Sequence, residues 1–227
     1  MLNINLLISK FRNIQNGYDP ISEQYAVKYF NDFEHEGKRF DYAIGEKILS
    51  HFHGVTLDNL TLIDLGAGPG QYSAHFARLG FKVFHQDVSL NFINLAKAYH
   101  KKQGVNVTYH HNYMEESLNR SYNVIFSNVS YYYCFSDRKF AELIRESLAE
   151  KGIFIAILHT ERRLKMLKGL KGWILTMQFK LNEIIGLKVG HPPISSKVIP
   201  SMFNFGKEFE LDILPWGIDT MVIVRKV

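Results

Sequence analysis

The stretch Leu62-Ile63-Asp64-Leu65-Gly66-Ala67-Gly68-Pro69-Gly70 decides the fold of this 227-residue chain. A short apolar segment at 60–65 predicts a buried β-strand, and it runs directly into a turn with a glycine at every second position. Glycine in such a turn permits positive φ angles and lets a ligand approach the main chain closely. The stretch therefore predicts a first strand followed by a ligand-binding loop.

Strand and helix patterns alternate on the C-terminal side of this loop. Alternation of this kind predicts a mostly parallel sheet with helices on both faces. We expect an α/β fold, a Rossmann-like sheet of seven strands with an antiparallel last strand and a helical lid. The predicted strands are 60–65, 81–86, 105–109, 122–126, 153–158, 209–214 and 219–224, and helices are predicted at 41–52, 71–79, 89–103 and 136–150.

The length of the chain predicts a single domain with a modest cap. We divide it into an N-terminal helical lid at 1–55, a ligand-binding core at 56–160, a helical insertion at 161–202 and a terminal strand pair at 203–227. In open parallel sheets, ligands bind beyond the carboxyl ends of the strands, where the strand order reverses. The residues that directly follow each early strand are therefore the candidate site.

The spacing of the glycines argues against a dinucleotide. A dinucleotide loop has the pattern G-x-G-x-x-G, so that the pyrophosphate lies on the helix N-terminus. Here Gly66 and Gly68 fit that pattern, but Gln71 occupies the third glycine position.

The pattern Asp64-x-Gly66-x-Gly68-x-Gly70 resembles the first motif of class I S-adenosylmethionine-dependent methyltransferases, (D/E)-x-G-x-G-x-G. The resemblance extends over roughly 60–158, and the final strand pair also lies where the family has one. It implies that S-adenosylmethionine is the cofactor and that it lies against Asp64, Gly66, Ala67 and Gly68.

Residues after the second and third strands extend the resemblance. In the family, an acidic residue in the place of Asp87 accepts the ribose hydroxyls, and the next residue, here Val88, packs on adenine. Asn112 stands where the family usually has an aspartate that bonds the adenine amino group, and an asparagine carbonyl can accept the same hydrogen bond. The backbone N–H of Tyr113 would then meet a ring nitrogen.

Two further segments are similar to the family. The segment 122–129 resembles its fourth strand, which places Asn128 and Val129 beneath the methionine part of the cofactor. The segment 17–25 is similar to the Y-D-x-x-A-x-x-Y helix that begins many small-molecule methyltransferases, with Ser22 in place of the alanine. Tyr18 would then reach the cofactor's carboxylate, and a core tyrosine is the alternative.

Methyl transfer is an in-line displacement in which the protein mainly positions the reactants and excludes water. The residues expected to face the acceptor are Tyr131 and Tyr132, with Tyr133, just past the fourth strand, and His159 at the end of the fifth. His159 is placed for a general base, and the tyrosine hydroxyls for orienting an acceptor. Core packing for one or two of the tyrosines, and a structural histidine, are the alternatives.

The acceptor is less well defined than the cofactor. The residues Asn128-Val129-Ser130-Tyr131 lack the prolines typical of enzymes that methylate base amines or glutamine amides. We expect a small-molecule acceptor methylated on O or N, a role in secondary metabolism, and no DNA partner. RNA or protein methylation, and a cofactor-binding scaffold without activity, remain alternatives.

Charge is concentrated in one segment, 161–188. It holds seven cations against Glu161 and Glu183, an excess that equals the net charge of +5 of the whole chain. Such a segment can bind RNA, anionic lipid or an acidic substrate, or it can be a solvated helix face. The cations are Arg162, Arg163, Lys165, Lys168, Lys171, Lys180 and Lys188.

Other features set the expected context. The single cysteine, Cys134, excludes an internal disulfide and is either a packed small residue or a nucleophile. The adjacent His110 and His111 would point to opposite faces of a strand, so we expect no metal site. No apolar run is long enough to span a bilayer, so we expect a cytoplasmic protein without stable membrane insertion. It would be a monomer or homodimer.

Overall fold

The computed structural model describes residues 4–36, 42–185 and 188–227. The predicted start of the second helix at Asp41 lies outside the described residues. So does Gly186 of the insertion.

The sheet confirms the predicted architecture. It has the strand order β3-β2-β1-β4-β5-β7-β6. Strands β1 to β5 pair in parallel, whereas β7 runs antiparallel to both β5 and β6. The strands are β1 Thr61–Leu65, β2 Lys82–Asp87, β3 Val107–His111, β4 Tyr122–Asn128, β5 Leu148–Leu158, β6 Phe209–Trp216 and β7 Asp219–Lys226.

Helices surround the sheet. Short 3-10 turns at Ile14–Asn16, Leu57–Asn59, Tyr131–Tyr133 and Glu161–Met166 connect some of the elements. The α-helices are α1 Ile4–Phe11, α2 Glu23–Glu36, α3 Tyr42–His51, α4 Gln71–Leu79, α5 Leu90–Gln103, α6 Met114–Ser117, α7 Asp137–Ser147, α8 Gly169–Ile185 and α9 Ile199–Phe203.

Local sequence explains where several of these helices begin and end. The Ser89 side chain accepts a hydrogen bond from the Phe92 N–H at 3.2 Å, which caps the start of α5. Gly80 and Gly104 end α4 and α5 with φ angles of 108° and 66°, a conformation that glycine adopts without strain.

Several predicted boundaries of β3, α7 and β5 are wrong. Strand β3 begins at Val107 and continues to His111, because it pairs with β2 up to Asp87. Helix α7 ends at Ser147 rather than at 150, and β5 begins at Leu148, which pairs with Tyr122 of β4. Pairing with the neighbouring strand sets these boundaries, and the local sequence pattern does not show that pairing.

The core lies on both faces of the sheet. Alternating residues of the strands point to opposite faces, as pleating requires. Leu62, Val124 and Phe126 pack with residues of α3 and α4 in one cluster, whereas Ile63 and Ile125 pack with residues of α7 and α9 in the other. Strand β1 lies between β2 and β4, so the strand order reverses at its carboxyl end, where the glycine loop begins.

Candidate functional site

The loop after β1 is held against the end of β2. Gly66 donates its N–H to the Gln86 side-chain oxygen at 2.8 Å, and Ala67 donates to the Gln86 backbone oxygen at 2.9 Å. Gly68 donates to the carboxylate Oδ2 of Asp87 at 2.8 Å. Two successive residues of β2 therefore fix the shape of the loop.

The glycines of the loop have different roles, although all have positive φ angles. A Cβ on Gly66 would lie 2.4 Å from the Ser130 Cβ, and one on Gly70 would lie 2.6 Å from the His100 Nε2. At Gly68, with a φ of 56°, a Cβ would meet nothing within 4 Å. Packing therefore requires glycine at 66 and 70, whereas the loop at 68 faces open space in which a ligand can lie.

Asp87 is the acidic group at this open position. Its Oδ1 accepts the Ser89 N–H at 2.8 Å, and its Oδ2 accepts the Gly68 N–H, while the residue is only 6% exposed. Burial raises the pKa of Asp87 to about 6, although both N–H groups favour the carboxylate. The carboxylate retains lone pairs for further donors, which suits hydroxyl groups of a ligand.

Asp64 lies beneath the loop in a buried chain of polar groups. Its Oδ2 accepts from the Ser73 hydroxyl at 2.7 Å, and that hydroxyl contacts the His85 Nδ1 at 3.1 Å. Burial raises the pKa of Asp64 to about 7. The structure therefore gives Asp64 a role in holding the start of α4, and the predicted contact with the cofactor stays a prediction.

A second buried group supports the loop from α5, and sequence reasoning missed it. The His100 Nε2 lies 2.8 Å from the Gly70 backbone oxygen, and its Nδ1 lies 2.7 Å from the Tyr109 hydroxyl. Burial lowers the pKa of His100, so the neutral ring is favoured. The only signal in the sequence is a histidine on a helix face where apolar residues dominate.

The residues predicted to bind adenine lie together after β2 and β3. The Asn112 Oδ1 accepts from the Ser117 hydroxyl at 2.6 Å, which leaves it one lone pair for an amino group. The Tyr113 N–H donates to the Glu116 side chain at 3.1 Å, so this N–H already has a partner. Val88 is half-buried, and its backbone oxygen contacts the His111 ring at 3.1 Å.

The end of β4 carries backbone strain. Val129 has a φ of 59°, which is rare for a β-branched residue. Its N–H donates to the Ile157 oxygen, and the next residue, Ser130, donates to the Leu65 oxygen at 2.5 Å. Asn128 and Val129 are both half-buried. Strained residues of this kind occur often at functional sites, and this one lies directly beside the glycine loop.

One of the two tyrosines predicted to be catalytic, Tyr131, lies in the core rather than facing an acceptor. Tyr131 is completely buried, and its hydroxyl donates to the Asp137 backbone oxygen at 2.6 Å. Its interpretation as a group that faces the acceptor is therefore wrong. Tyr132 lies between the Tyr133 and His159 rings, with centroids 4.4 Å and 5.4 Å away. Burial raises the pKa of Tyr132 well above its ordinary value, so it can donate a hydrogen bond but is a poor base.

His159 belongs to a charged cluster that joins β5 to β7. Its Nδ1 lies 2.8 Å from the Asp219 Oδ1, and Arg163 binds both carboxylate oxygens of Asp219 at 2.7 Å. These donors lower the pKa of Asp219 to about 2, against the opposing effect of its burial. Sequence reasoning missed Asp219, because β7 is antiparallel and its first residue meets the end of β5 only in the folded sheet.

The N-terminal segment lies beside the same site. Tyr18 is 38% exposed, which rules out a core role, and the Arg12 guanidinium lies 5.9 Å from its ring centroid. The neighbouring Asp19 accepts the Asn91 N–H at 2.9 Å, at the start of α5. The Tyr29 ring of α2 lies 5.5 Å from that of Phe92. Contacts to α5 thus place the segment next to Asp87.

Two other groups from the sequence lie in the core rather than at the site. Cys134 is completely buried, and burial raises its pKa well above the ordinary value, so it is packed and is not a nucleophile. Lys188 is 6% exposed and lies 2.5 Å from the Asp137 Oδ1 and 3.3 Å from the Cys134 sulfur. Counting Lys188 among the solvent-facing cations of the insertion is therefore wrong.

Within residues 4–36, 42–185 and 188–227, no cluster of His, Cys, Asp and Glu side chains has the geometry of a metal site. In the same ranges, no helix combines the length and the apolar character needed to cross a bilayer.

Comparison with known sequences finds methyltransferases. Residues 62–152 match the model of a methyltransferase domain family. Over 88 residues the chain is 35% identical to the ubiquinone biosynthesis O-methyltransferase of Rickettsia canadensis. That match covers 38% of this chain and 36% of the relative, so the chain aligns with about a third of the length of the curated relatives it matches.

Solved structures agree on the fold. The plantazolicin methyltransferase BpumL, solved in complex with SAH, has a TM-score of 0.66 at 11% identity, with 98% of this chain and 97% of that chain covered. An S-adenosylmethionine-dependent methyltransferase from Clostridium acetobutylicum has a TM-score of 0.59 at 14% identity, with 88% and 97% covered. At these identities the likeness establishes the fold.

The fold and the loop define a Rossmann-like α/β protein with its ligand site at the carboxyl edge of the sheet. The match of residues 62–152 to the methyltransferase domain model confirms the predicted resemblance to class I S-adenosylmethionine-dependent methyltransferases.

Proposed function

We propose that this protein binds S-adenosylmethionine and transfers its methyl group to an oxygen or nitrogen of a small-molecule acceptor. The observation that carries the proposal is the Asp87 carboxylate, buried at the end of β2 beside the open position at Gly68. A buried carboxylate next to an unobstructed backbone suits the ribose hydroxyls and the body of an adenosyl ligand.

The remaining residues fit the same ligand. Asn112 would accept from the adenine amino group, with Val88 against the ring. The Tyr113 N–H would exchange its present partner, Glu116, for a ring nitrogen. Asn128 and Val129 would lie beneath the methionine part, and Tyr18 would reach its carboxylate. When bound, the cofactor supplies a methyl group activated by a sulfonium.

His159 and Tyr132 would act on the acceptor. Because Asp219 accepts from Nδ1, the Nε2 of His159 keeps a lone pair that can take a proton. Nε2 would accept the proton of the acceptor's oxygen or nitrogen, to which the cofactor would supply its methyl group. Asp219 would be a positioning residue. Tyr132 would orient the acceptor by donating its hydroxyl hydrogen, which is now directed to the Tyr133 hydroxyl at 3.4 Å.

Two observations bear on the acceptor class. The name O-methyltransferase of the Rickettsia relatives favours an oxygen acceptor. The adjacent aromatic rings of Tyr132, Tyr133 and His159 form a cluster that suits a small apolar or aromatic acceptor. A cytoplasmic location, a role in secondary metabolism and a monomeric or homodimeric state stay predictions.

Calorimetric titration with S-adenosylhomocysteine tests the cofactor site. We expect Asp87→Asn to weaken binding about 10- to 100-fold, since hydrogen bonds to a charged group contribute about 1.5–3 kcal/mol. Asp58→Asn, on an exposed carboxylate near the start of β1, is the matched control and should bind as the wild type does. Absence of binding by the wild type at millimolar concentrations would sink the proposal.

Turnover on a panel of hydroxyl and amine acceptors tests the chemistry. With the true acceptor, we expect His159→Ala to lower kcat about 100-fold or more, as is typical for loss of a general base. Asp219→Asn should lower the maximal kcat and also shift the pH at which kcat is half-maximal. A purely structural role would not produce this shift. If His159→Ala and Tyr132→Phe both keep full turnover, these roles are wrong. Cofactor binding without turnover of any acceptor would indicate an inactive scaffold.

A further inference from the structure

Helix α8 presents an apolar face to solvent. With 3.6 residues per turn, the side chains of this face fall within one arc of about 120° on the helix. Their exposed fractions run from 41% to 76%, whereas side chains of this type are usually buried. The apolar face of α8 consists of Leu170, Trp173, Ile174, Met177, Ile184 and Ile185.

Lysines border this face on both sides. Lys171 lies along one border and Lys180 along the other, and both are exposed. The only acidic residue of the helix, Glu183, lies outside the apolar arc and accepts a hydrogen bond from the Ser195 hydroxyl at 2.9 Å. The face is therefore apolar along its centre and positively charged at its edges.

The turn before α8 continues this pattern. Met166 is 68% exposed and Leu167 is 38% exposed, next to solvent-facing cations. Since Arg163 is paired with Asp219 and Lys188 is buried, five of the seven cations of the segment 161–188 face solvent. They are Arg162, Lys165, Lys168, Lys171 and Lys180.

Charge complementarity selects the occupant of this face. A second copy of the chain laid on α8 would bring lysine borders against lysine borders, which repel each other. A nucleic acid would match the lysines but would leave Trp173 and Ile184 against a polar backbone. A bilayer with anionic headgroups matches both parts, because acyl chains accept the apolar centre while the headgroups attract the lysines.

We propose that the apolar face of α8 docks on an anionic membrane surface, with the helix lying parallel to the bilayer. Lysine stems extend along the apolar region while their ammonium groups reach the headgroups. The proposal goes beyond the proposed methyl transfer and does not depend on it, because it rests on α8 alone. Attachment of this kind is peripheral and reversible.

Flotation of the full-length protein with vesicles tests the proposal. We use phosphatidylcholine vesicles with and without about one quarter phosphatidylglycerol, and we expect binding to be strongest on the anionic ones. The double variant Lys171→Gln/Lys180→Gln should bind them about 30-fold more weakly, since each lysine near an anionic surface contributes about one kcal/mol. Lys139→Gln/Lys207→Gln, on exposed lysines elsewhere, is the matched control and should bind normally.

The apolar part is tested with Trp173→Ser/Ile184→Ser, which should weaken vesicle binding about 10-fold or more. Val55→Ser, on an exposed apolar residue away from α8, should leave binding unchanged. Because all these side chains are exposed, we expect the variants to fold, and circular dichroism checks this.

Tryptophan fluorescence gives a second test of the same face. The chain has two tryptophans, so Trp216→Phe leaves Trp173 as the single reporter. Its emission should move to shorter wavelength when anionic vesicles are added.

Several outcomes would overturn the proposal. One is no wild-type binding to anionic vesicles, and another is an unchanged Trp173 emission spectrum in their presence. Sedimentation equilibrium that shows a dimer, lost in Trp173→Ser/Ile184→Ser while vesicle binding persists, would assign the face to a second copy. Binding to a polyuridine oligonucleotide that needs the two lysines but not the apolar residues would assign it to RNA.

Discussion

The open position at Gly68 predicts that one substitution will separate ligand binding from folding. In Gly68→Ala, the new Cβ would meet no protein atom within 4 Å, so the only cost to the fold is the positive φ of 56°. A left-handed conformation costs a non-glycine residue about 1–2 kcal/mol. The Gly68 N–H stays free to donate to Asp87, so the loop should keep its shape.

The expected change in stability is therefore small. For a chain of this size, each kcal/mol shifts the melting temperature by about 2–4 °C, so Gly68→Ala should lower it by about 2–8 °C. The added methyl group would nevertheless occupy the space that we assign to the ligand. Displacing the ligand by less than an ångström should weaken S-adenosylhomocysteine binding about 10-fold or more.

Gly66→Ala provides the contrast. There the Cβ would lie 2.4 Å from the Ser130 Cβ and 2.8 Å from its hydroxyl oxygen, in a buried contact. Overpacking adds about 1–3 kcal/mol to the cost of the positive φ, so the destabilisation should be about 2–5 kcal/mol. Thermal melts of both apo-variants and calorimetric titrations with S-adenosylhomocysteine measure the two effects separately.

Two results would refute this reasoning. Unchanged affinity in Gly68→Ala would show that no ligand approaches the backbone at this position. Equal melting temperatures for Gly66→Ala and Gly68→Ala would show that the contact with Ser130 is not tight.

Three further predictions concern charged groups. Lys188→Met should destabilise the fold by about 3–5 kcal/mol in urea unfolding, because it leaves the Asp137 carboxylate without its buried partner; equal stability would contradict this. Since the folded pKa of Asp64 is raised to about 7, its contribution to stability is present below about pH 4 and is lost as the pH rises towards 7. Asp64→Asn should remove this dependence of stability on pH, so wild-type and variant melting temperatures should differ more at about pH 8 than at about pH 4. A difference that stays constant with pH would argue against this effect of Asp64. The folded pKa of Asp219 is lowered to about 2, so its contribution is present above about pH 4 and is lost as the pH falls towards 2. In acid unfolding followed by circular dichroism, Asp219→Asn should not show this loss of stability. An acid transition identical to that of the wild type would refute the stabilising role of Asp219 with His159 and Arg163.

Much of the ligand-binding half of the molecule could be predicted from local sequence. The segment 62–70 predicts a strand and a close-approach loop, because buried strands and positive-φ glycines leave short, local patterns. Ser89, Gly80 and Gly104 likewise mark helix ends through their own backbone and side-chain geometry. Asp87 and Asn112 could be placed because a parallel sheet brings the ends of its strands to one edge.

The acceptor half could not be resolved in the same way. Three consecutive tyrosines look alike in sequence, yet Tyr131 is buried in the core and Tyr133 is 51% exposed. A short 3-10 turn points successive side chains in different directions, and only the packing of α7 and α9 against β5 decides which of them is covered. The partner of His159 lies 60 residues away at the start of β7.

By itself, the sequence determined the α/β alternation, the glycine loop and the acidic residue at the end of β2, because each depends on contacts between near neighbours or on strand ends that share an edge. Only the tertiary structure decided that Gly68 faces open space while Gly66 is packed against Ser130. It also decided that Lys188 is buried while the apolar face of α8 is exposed. The physical reason is the same in each case: burial depends on which distant segment packs over a residue, and a helical or strand pattern does not carry that information.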